Sequence, residues 1–337
     1  LQFINGAKEK ICYFETVKII KGVRNLKAPF LASALTIGNF DGVHLGHRAL
    51  INHLVARART LNVPAVVMTF EPHPVKVLYP ARKLNRIFDF ADQREQLALL
   101  GVDALVIEPF SREFSQLPPD RYLSEWIIDP FHPAALVVGY DFSFGANRLG
   151  SIAFLESHAT QFNYSIEVVA PVQLEGVMVS SSQIRQALAA GNVSFANRLL
   201  TRSFYLKGLV EKGVGRGRTF GIRTANLRTF AETIPARGVY CGWAEVRGKR
   251  YPAMVNIGVN PTFTEDADQK LVIEAHLLGF DKDSSKESDA DLDFYGEQMK
   301  LEFIDRLRDE KKFESKDDLV AQIRLDIIEG RRILNVE

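Results

Sequence analysis

The pattern of hydrophobic and polar positions changes its grammar near residue 200. Before that point, apolar runs of strand length alternate with segments whose apolar residues recur at helical spacing. Residues 35–40 read as a buried strand, and a glycine-rich turn follows. Leu50, Ile51, Leu54, Val55 and Ala58 then line one face of a helix. Residues 64–70 form the next strand, 91–100 a helix stopped by Gly101, and 103–107 a strand again. Pro118 and Pro119 open a helix running through Trp126. Residues 135–140 read as a strand, 151–162 as a helix, 166–169 as extended, and 181–190 as a helix with Gly191 as its stop. Repeated β-α-β order predicts a parallel sheet covered on both faces.

Beyond residue 200 the strands are short, alternate in polarity and are separated by glycine turns: 205–210, 238–246, 250–257 and 271–278. No helix-length periodic segment interrupts them, which predicts a small antiparallel barrel or sandwich. A closing helix follows, with Ser315 as N-cap and Asp318 at the capping-box position. Leu319, Val320, Ile323, Ile327 and Ile328 are its expected apolar face. The acidic run 281–293 reads as a solvated loop.

Composition narrows the picture. At roughly 150 residues per domain, 337 residues predict two domains. Lys and Arg number 42 against 41 Asp and Glu, so no global field marks a nucleic-acid or membrane-surface binder. The two cysteines, Cys12 and Cys241, are far apart and in no metal spacing. They predict a reducing compartment and exclude a disulfide framework or a cysteine zinc site. Apolar runs such as 134–138 fall far short of the ~20 residues needed to span a bilayer. The N-terminus shows no signal-peptide h-region, so the expectation is a cytoplasmic protein without a membrane partner.

Candidate chemistry sits at two places. In the first, Gly38, Asn39, Phe40, Asp41, Gly42, Val43, His44, Leu45, Gly46 and His47 lie where a buried strand turns into a helix. Ligands of open α/β sheets bind beyond the carboxyl ends of strands, and helix N-termini attract phosphate. Gly38, Gly42 and Gly46 would bring the backbone close to a ligand and adopt unusual dihedrals. His44 and His47, three apart, would project together as neutral donors to a phosphate chain or as cations paired with it. A second helix start, Ser180, Ser181, Ser182, Gln183, Ile184 and Arg185, places a cation in what reads as a first turn; an incoming phosphate would resolve that conflict. No Walker loop is present.

The second place is the 213–226 region. Gly213, Gly215, Arg216, Gly217 and Arg218 lack the dinucleotide-fold spacing; a hairpin turn, a phosphate-contacting loop and an RNA-contacting edge all stay open. Thr224 and Asn226 put two hard oxygen donors on one side of an extended segment, which suits Mg²⁺ or a purely structural role. Strand alternation places Glu274 and His276 on one face and Ile273 and Ala275 on the other. Glu274 is then either a solvated glutamate or a base.

Residues 38–47 resemble the HxGH signature of the nucleotidyltransferase superfamily, and 179–185 resemble its Ser-Ser-x-x-Ile-Arg motif. With the 215–227 segment, which resembles the flavokinase signature, the chain is similar over nearly its whole length to bacterial bifunctional riboflavin kinase/FAD synthetases. The resemblance implies a Rossmann-like α/β nucleotidyltransferase domain at 1–188 and a six-stranded antiparallel flavokinase-like barrel with a closing helix at 204–337. It implies that His44 and His47 hold ATP phosphates, that Ser181, Ser182 and Arg185 bind the pyrophosphate side, and that Asp141 and Phe142 lie near the flavin. Residues 71–74 match a further strand-end motif. It further implies phosphate contacts at Gly215, Gly217 and Arg218, a Mg²⁺ held with ATP by Thr224 and Asn226, and Glu274 as the base for the riboflavin 5′-hydroxyl. The strand ends 256–258, 261–263 and 294–296 are family-like as well. Arg223 stands where the family has Pro, and Ser143 and Gln183 also depart from its pattern. The expected reactions are riboflavin plus ATP to FMN, and FMN plus ATP to FAD and pyrophosphate. A kinase alone and a nucleotide-sensing RNA-binding protein are the rival readings; small molecules are the expected partners, without nucleic acid, and homo-oligomerisation stays open.

Overall fold

The computed structural model describes residues 17–212, 224–259, 271–279 and 294–336. Cys12, Gly215, Gly217, Arg218, Arg223, residues 261–263 and the acidic run 281–293 lie outside them. The described chain divides into two compact units, residues 17–84 with 89–178, and residues 85–88 with 179–336.

The first unit is built on a parallel sheet of β1 (Lys18–Lys21), β2 (Ser33–Ile37), β3 (Ala65–Glu71), β4 (Ala104–Pro109), β5 (Pro133–Gly139) and β6 (Ser165–Val169). Its order is β1-β4-β3-β2-β5-β6, with every neighbouring pair parallel. Both faces are covered, which is why the strands read as apolar runs rather than alternations. On one face α1 (Leu45–Leu61) lays Leu50, Ile51, Leu54, Val55 and Ala58 against Ala34, Val67, Leu105 and Val137. On the other, Leu35, Val66, Met68 and Val106 pack with Phe114, Trp126, Phe131 and Leu155. The remaining helices are α2 (Pro74–Leu78), α3 (Phe90–Leu99), α4 (Arg112–Ser115), α5 (Pro119–Tyr122), α6 (Asp129–Phe131) and α7 (Ile152–Phe162). The helix opened by Pro118 and Pro119 is not continuous: a π-helical stretch, Leu123–Ile128, joins α5 to α6. A small hairpin, β7 (Gln173–Leu174) and β8 (Val177–Met178), ends the unit.

The second unit begins with α8 (Ser181–Ala189) and α9 (Val193–Leu200). Six antiparallel strands follow: β9 (Phe204–Glu211), β10 (Ala225–Thr229), β11 (Gly238–Val246), β12 (Lys249–Val259), β13 (Leu271–Leu277) and β14 (Gln298–Arg308). They close into a barrel in the order β10-β13-β12-β11-β14-β9, and the β9–β10 pairing that completes the ring decides barrel over sandwich. Leu227, Val255, Ala275, Ile257 and Ile273 fill the interior, with Phe204 and Phe303. Phe88 of the 85–88 segment stacks on Phe204 at 5.4 Å.

The closing helix α10 (Lys316–Leu334) is capped as its sequence predicts, Ser315 accepting from the Asp318 N–H. It covers the outer side of the barrel over Cys241 and Met254. Gly330 allows that approach, because a Cβ there would collide with the Met254 thioether. Ile328 does not share the apolar face; it is 65% exposed, one residue around the helix from the half-buried Ile327. The buried side is instead marked by Asp326, whose carboxylate takes a bidentate contact from Arg308 of β14 at 2.8–3.1 Å and a bond from Gln322 at 2.9 Å.

Candidate active sites

In the first unit, β2 is flanked by β3, its successor in the chain, and by β5, which comes much later. Such a switch point opens a crevice beyond the carboxyl ends of the strands. Three segments singled out from the sequence meet at that edge: 38–44 after β2, 71–74 at the end of β3, and 139–142 after β5. The first is a strained loop. Val43 N–H donates to the Phe40 carbonyl at 3.1 Å across a turn with Gly42 at φ 79°. Phe40 and Val43 themselves hold φ values of 51° and 39°, costly for such residues and characteristic of sites where the backbone must face a ligand. Gly38 and Gly46 do not have the unusual dihedrals expected of them. Gly38 leaves room instead for the Phe40 ring, which a Cβ would meet at 3.0 Å.

The histidine pair is compact. His44 is the N-cap of α1 rather than a helical residue, and its Nδ1 accepts the His47 N–H at 3.3 Å. An imidazole accepting at Nδ1 in its neutral form carries its proton on Nε2. The two rings stack at 3.6 Å, and Phe40 meets His47 edge-on at 5.3 Å. Burial, and then the neighbouring His44, push the His47 pKa well below the ordinary histidine value. Of the two expected states, the neutral one therefore holds at His47. Its Nδ1 is buried with no hydrogen-bond partner among the described residues. The first turn of α1 contains no acid. A helix N-terminus with a neutral imidazole beside it is an arrangement that can take a phosphate chain.

One residue of this site is missed by sequence reasoning. Gln93 of α3 donates to the Asn39 carbonyl at 2.8 Å and to the Thr69 hydroxyl at 3.3 Å, fixing the loop after β2. Its sequence gives no signal for this role, since the buried residues of α3 are Asp92, Gln93 and Leu97 rather than an apolar stripe. Asp41 is buried and Asp141 exposed, while Phe142 packs on Phe144 at 5.7 Å. Arg148 donates to Ser143 at 2.7 Å.

Ser181, Ser182 and Arg185 lie on α8, within the second unit. Ser180 is the cap, accepting the Gln183 N–H at 3.3 Å. Arg185 is the fifth helical residue, just past the first turn rather than in it, which relaxes its conflict with the dipole.

On the barrel, strand register brings the kinase candidates together. Asn226 pairs with Glu274, and Glu274 with Asn256, across β10, β13 and β12. The neighbouring Ala225, Ala275 and Val255 form the adjacent row. Leu227, Ala275 and Val255 point inward, so Asn226, Glu274 and Asn256 share the outer face, all half-buried. Thr224 directly precedes β10 and alternates onto the same side as Asn226. This donor set fits a hard cation that takes one or two protein oxygens and completes its shell with phosphate and water. No cluster of three or more His, Cys, Asp or Glu occurs among the described residues, and such a cation needs none.

Residues 28–183 match the family model for FAD synthetase, and residues 200–334 match that for riboflavin kinase. The bifunctional riboflavin kinase/FMN adenylyltransferase of Escherichia coli K12 is 35% identical, with 95% of this chain and 99% of that one covered. The Pseudomonas fluorescens protein of the same description is 33% identical over 94% and 98%. A crystal structure of a Streptococcus pneumoniae chain described as a macrolide-efflux protein superposes with a TM-score of 0.82 at 31% identity, covering 94% of this chain and 99% of that one. Among the described residues no helix is long and apolar enough to cross a membrane. With two matched models and full-length relatives of this kind, the chain belongs to the family of bifunctional riboflavin kinase/FMN adenylyltransferases.

Proposed function

We infer that the chain phosphorylates riboflavin with ATP to FMN on its barrel and adenylylates FMN with ATP to FAD in its first unit. The observation that carries this reading is the pairing of two chemistries in one chain. A carboxylate lies in register with a carboxamide on the barrel, and at a sheet switch point His44 caps a helix beside His47, whose ring burial keeps neutral.

In the kinase step the riboflavin 5′-hydroxyl oxygen attacks the γ-phosphorus of ATP. The bond to the bridging oxygen breaks, ADP leaves, and the hydroxyl proton passes to Glu274. Such a nucleophile needs orientation more than full ionisation, and a carboxylate within reach suffices. Thr224 and Asn226 would hold Mg²⁺. When bound, that ion neutralises phosphate charge and ties the nucleotide to the barrel. Gly215, Gly217 and Arg218 are the proposed phosphate contacts.

In the adenylyl step an FMN phosphate oxygen attacks the α-phosphorus of ATP and pyrophosphate leaves. The nucleophile is already ionised, so no base is required. His44 and His47, the loop 38–42 and the N-terminal amides of α1 hold the phosphates and take up charge as it moves toward the leaving group. Asp141 and Phe142 serve the flavin. The reactions belong in the cytoplasm, where ATP is available and two cysteines suffice.

Incubation with riboflavin, ATP and Mg²⁺, followed by chromatography, tests the reading. FMN should appear first and FAD after it. Conversion of riboflavin to FMN alone would leave a kinase. Formation of neither product would overturn the reading.

A further inference from the structure

Helix α10 carries apolar residues on two sides. Ile327, Ile333 and Leu334 pack on the barrel side around Cys241 and Met254. On the opposite side Leu325 and Ile328 are 59% and 65% exposed, and the exposed Ala321 precedes them. Four and three residues apart, these form one continuous stripe where a surface helix ordinarily carries charge.

A row of charges runs beside the stripe. Asp317, Arg324 and Arg331 recur at seven-residue spacing and so share a side of the helix. Asp317 lies in the first turn and Arg331 in the last. Their neighbours are engaged locally: Asp318 takes the Ser315 hydroxyl at 2.6 Å, and Arg332 holds Glu329 at 2.6–2.8 Å. Asp317 and Arg331 make no side-chain ion pair with any described residue. The helix dipole accounts for an acid at the start and a base at the end. It does not account for the apolar stripe between them.

Fourteen residues separate Asp317 from Arg331, about 21 Å along the axis. A second α10 laid antiparallel over the stripe, related by a two-fold axis close to Leu325, sets Asp317 opposite the partner's Arg331 at both ends. A parallel copy would set like charges together at both ends. Arg324, midway, meets its own copy, and its long stem can carry the guanidinium out to water. A patch that complements itself under a two-fold axis is what an isologous dimer requires.

We propose that the outer face of α10 is a dimer contact, two copies of this chain pairing antiparallel through Ala321, Leu325 and Ile328 with Asp317 and Arg331 matched across the ends. A contact made by one helix from each copy is small, so the dimer is concentration-dependent, with a Kd on the order of micromolar.

Sedimentation velocity of the full chain from about 1 to 200 µM, a range that brackets such a Kd, tests it. The wild type should move from 37.8 kDa to twice that mass. Ile328→Glu puts a charge into the stripe and should stay monomeric. So should Asp317→Arg and Arg331→Asp, each alone, because each sets like charges face to face at both ends. Mixed in equal amounts, those two variants should form a heterodimer, since their reversals complement each other. FMN formation from riboflavin should be unchanged in every variant and reports that the barrel and its helix are folded. A wild type that is monomeric at the highest concentration would overturn the proposal. So would a dimer that Ile328→Glu leaves intact, or a mixture of the two charge variants that stays monomeric.

Discussion

His47 is a histidine that packing keeps uncharged. The folded site resists the proton that the unfolded chain accepts near pH 6.5. The unfolded state therefore binds more protons below that pH, and stability contributed by the neutral ring is lost as pH falls from about 6.5 toward the lowered folded value. Thermal melts of the wild type should accordingly drop through this window, and His47→Asn, which cannot titrate, should show a shallower drop. Equal slopes would mean that the ring is not held neutral. Gln93 gives a second residue-scale prediction. Replacing it by Leu removes the donor to the Asn39 carbonyl while keeping most of the volume. A net hydrogen bond of about 1 kcal/mol corresponds to roughly a fivefold to tenfold effect. FAD formation from FMN should slow by that factor, and FMN formation from riboflavin should not. Steady-state rates of the two half-reactions decide it.

Among the elements, α10 depends on one buried carboxylate. Asp326→Ala would leave Arg308 without its bidentate partner and cost about 3 kcal/mol, as loss of one member of a buried pair does. Urea denaturation followed by kinase activity should show it, and a shift under 1 kcal/mol would make the contact a surface one in energetic terms. This element also shows what the sequence makes legible. The cap at Ser315 is a local signal and is found, as is the α1 face Leu50 to Ala58, whose spacing repeats over several turns. Ile328 is misplaced because the burying face of α10 is chosen by a glycine and an aspartate, Gly330 and Asp326, which no hydrophobic periodicity would select. β1 escapes for a related reason: Lys18 and Lys21 end a four-residue edge strand with only Ile20 buried, so tertiary pairing with β4 makes it a strand. β14 alternates cleanly at Met299, Leu301 and Phe303, yet it follows the acidic run and is not separated from it by pattern alone. At the sites, motif residues adjacent in sequence, such as His44 and His47, are legible. Gln93 is not, because its meaning depends on α3 reaching the loop after β2.

For the whole molecule, the two reactions make opposite demands on FMN. In the proposed assignment the barrel brings a neutral hydroxyl to Glu274 and releases a phosphate ester, and the first unit uses the phosphate of that ester as the nucleophile toward ATP. Glu274 and the pair His44 and His47 lie in different compact units, each with its own buried core. A defect in one should therefore leave the other intact. His44→Ala removes an imidazole from the proposed phosphate site, and loss of one such group typically costs about 10² to 10³ in rate. It should make FMN from riboflavin and accumulate it. Glu274→Gln should make FAD only when FMN is supplied. Mixed in one tube with riboflavin and ATP, the two variants should restore FAD formation, after a lag during which free FMN builds up. Adding unlabelled FMN to that mixture with labelled riboflavin should dilute the label in FAD in proportion. The lag should shorten as the His44→Ala protein is increased, since that variant alone supplies the intermediate. A mixture that makes FMN but no FAD, although Glu274→Gln is active on supplied FMN, would mean that the product of the barrel does not pass through solution.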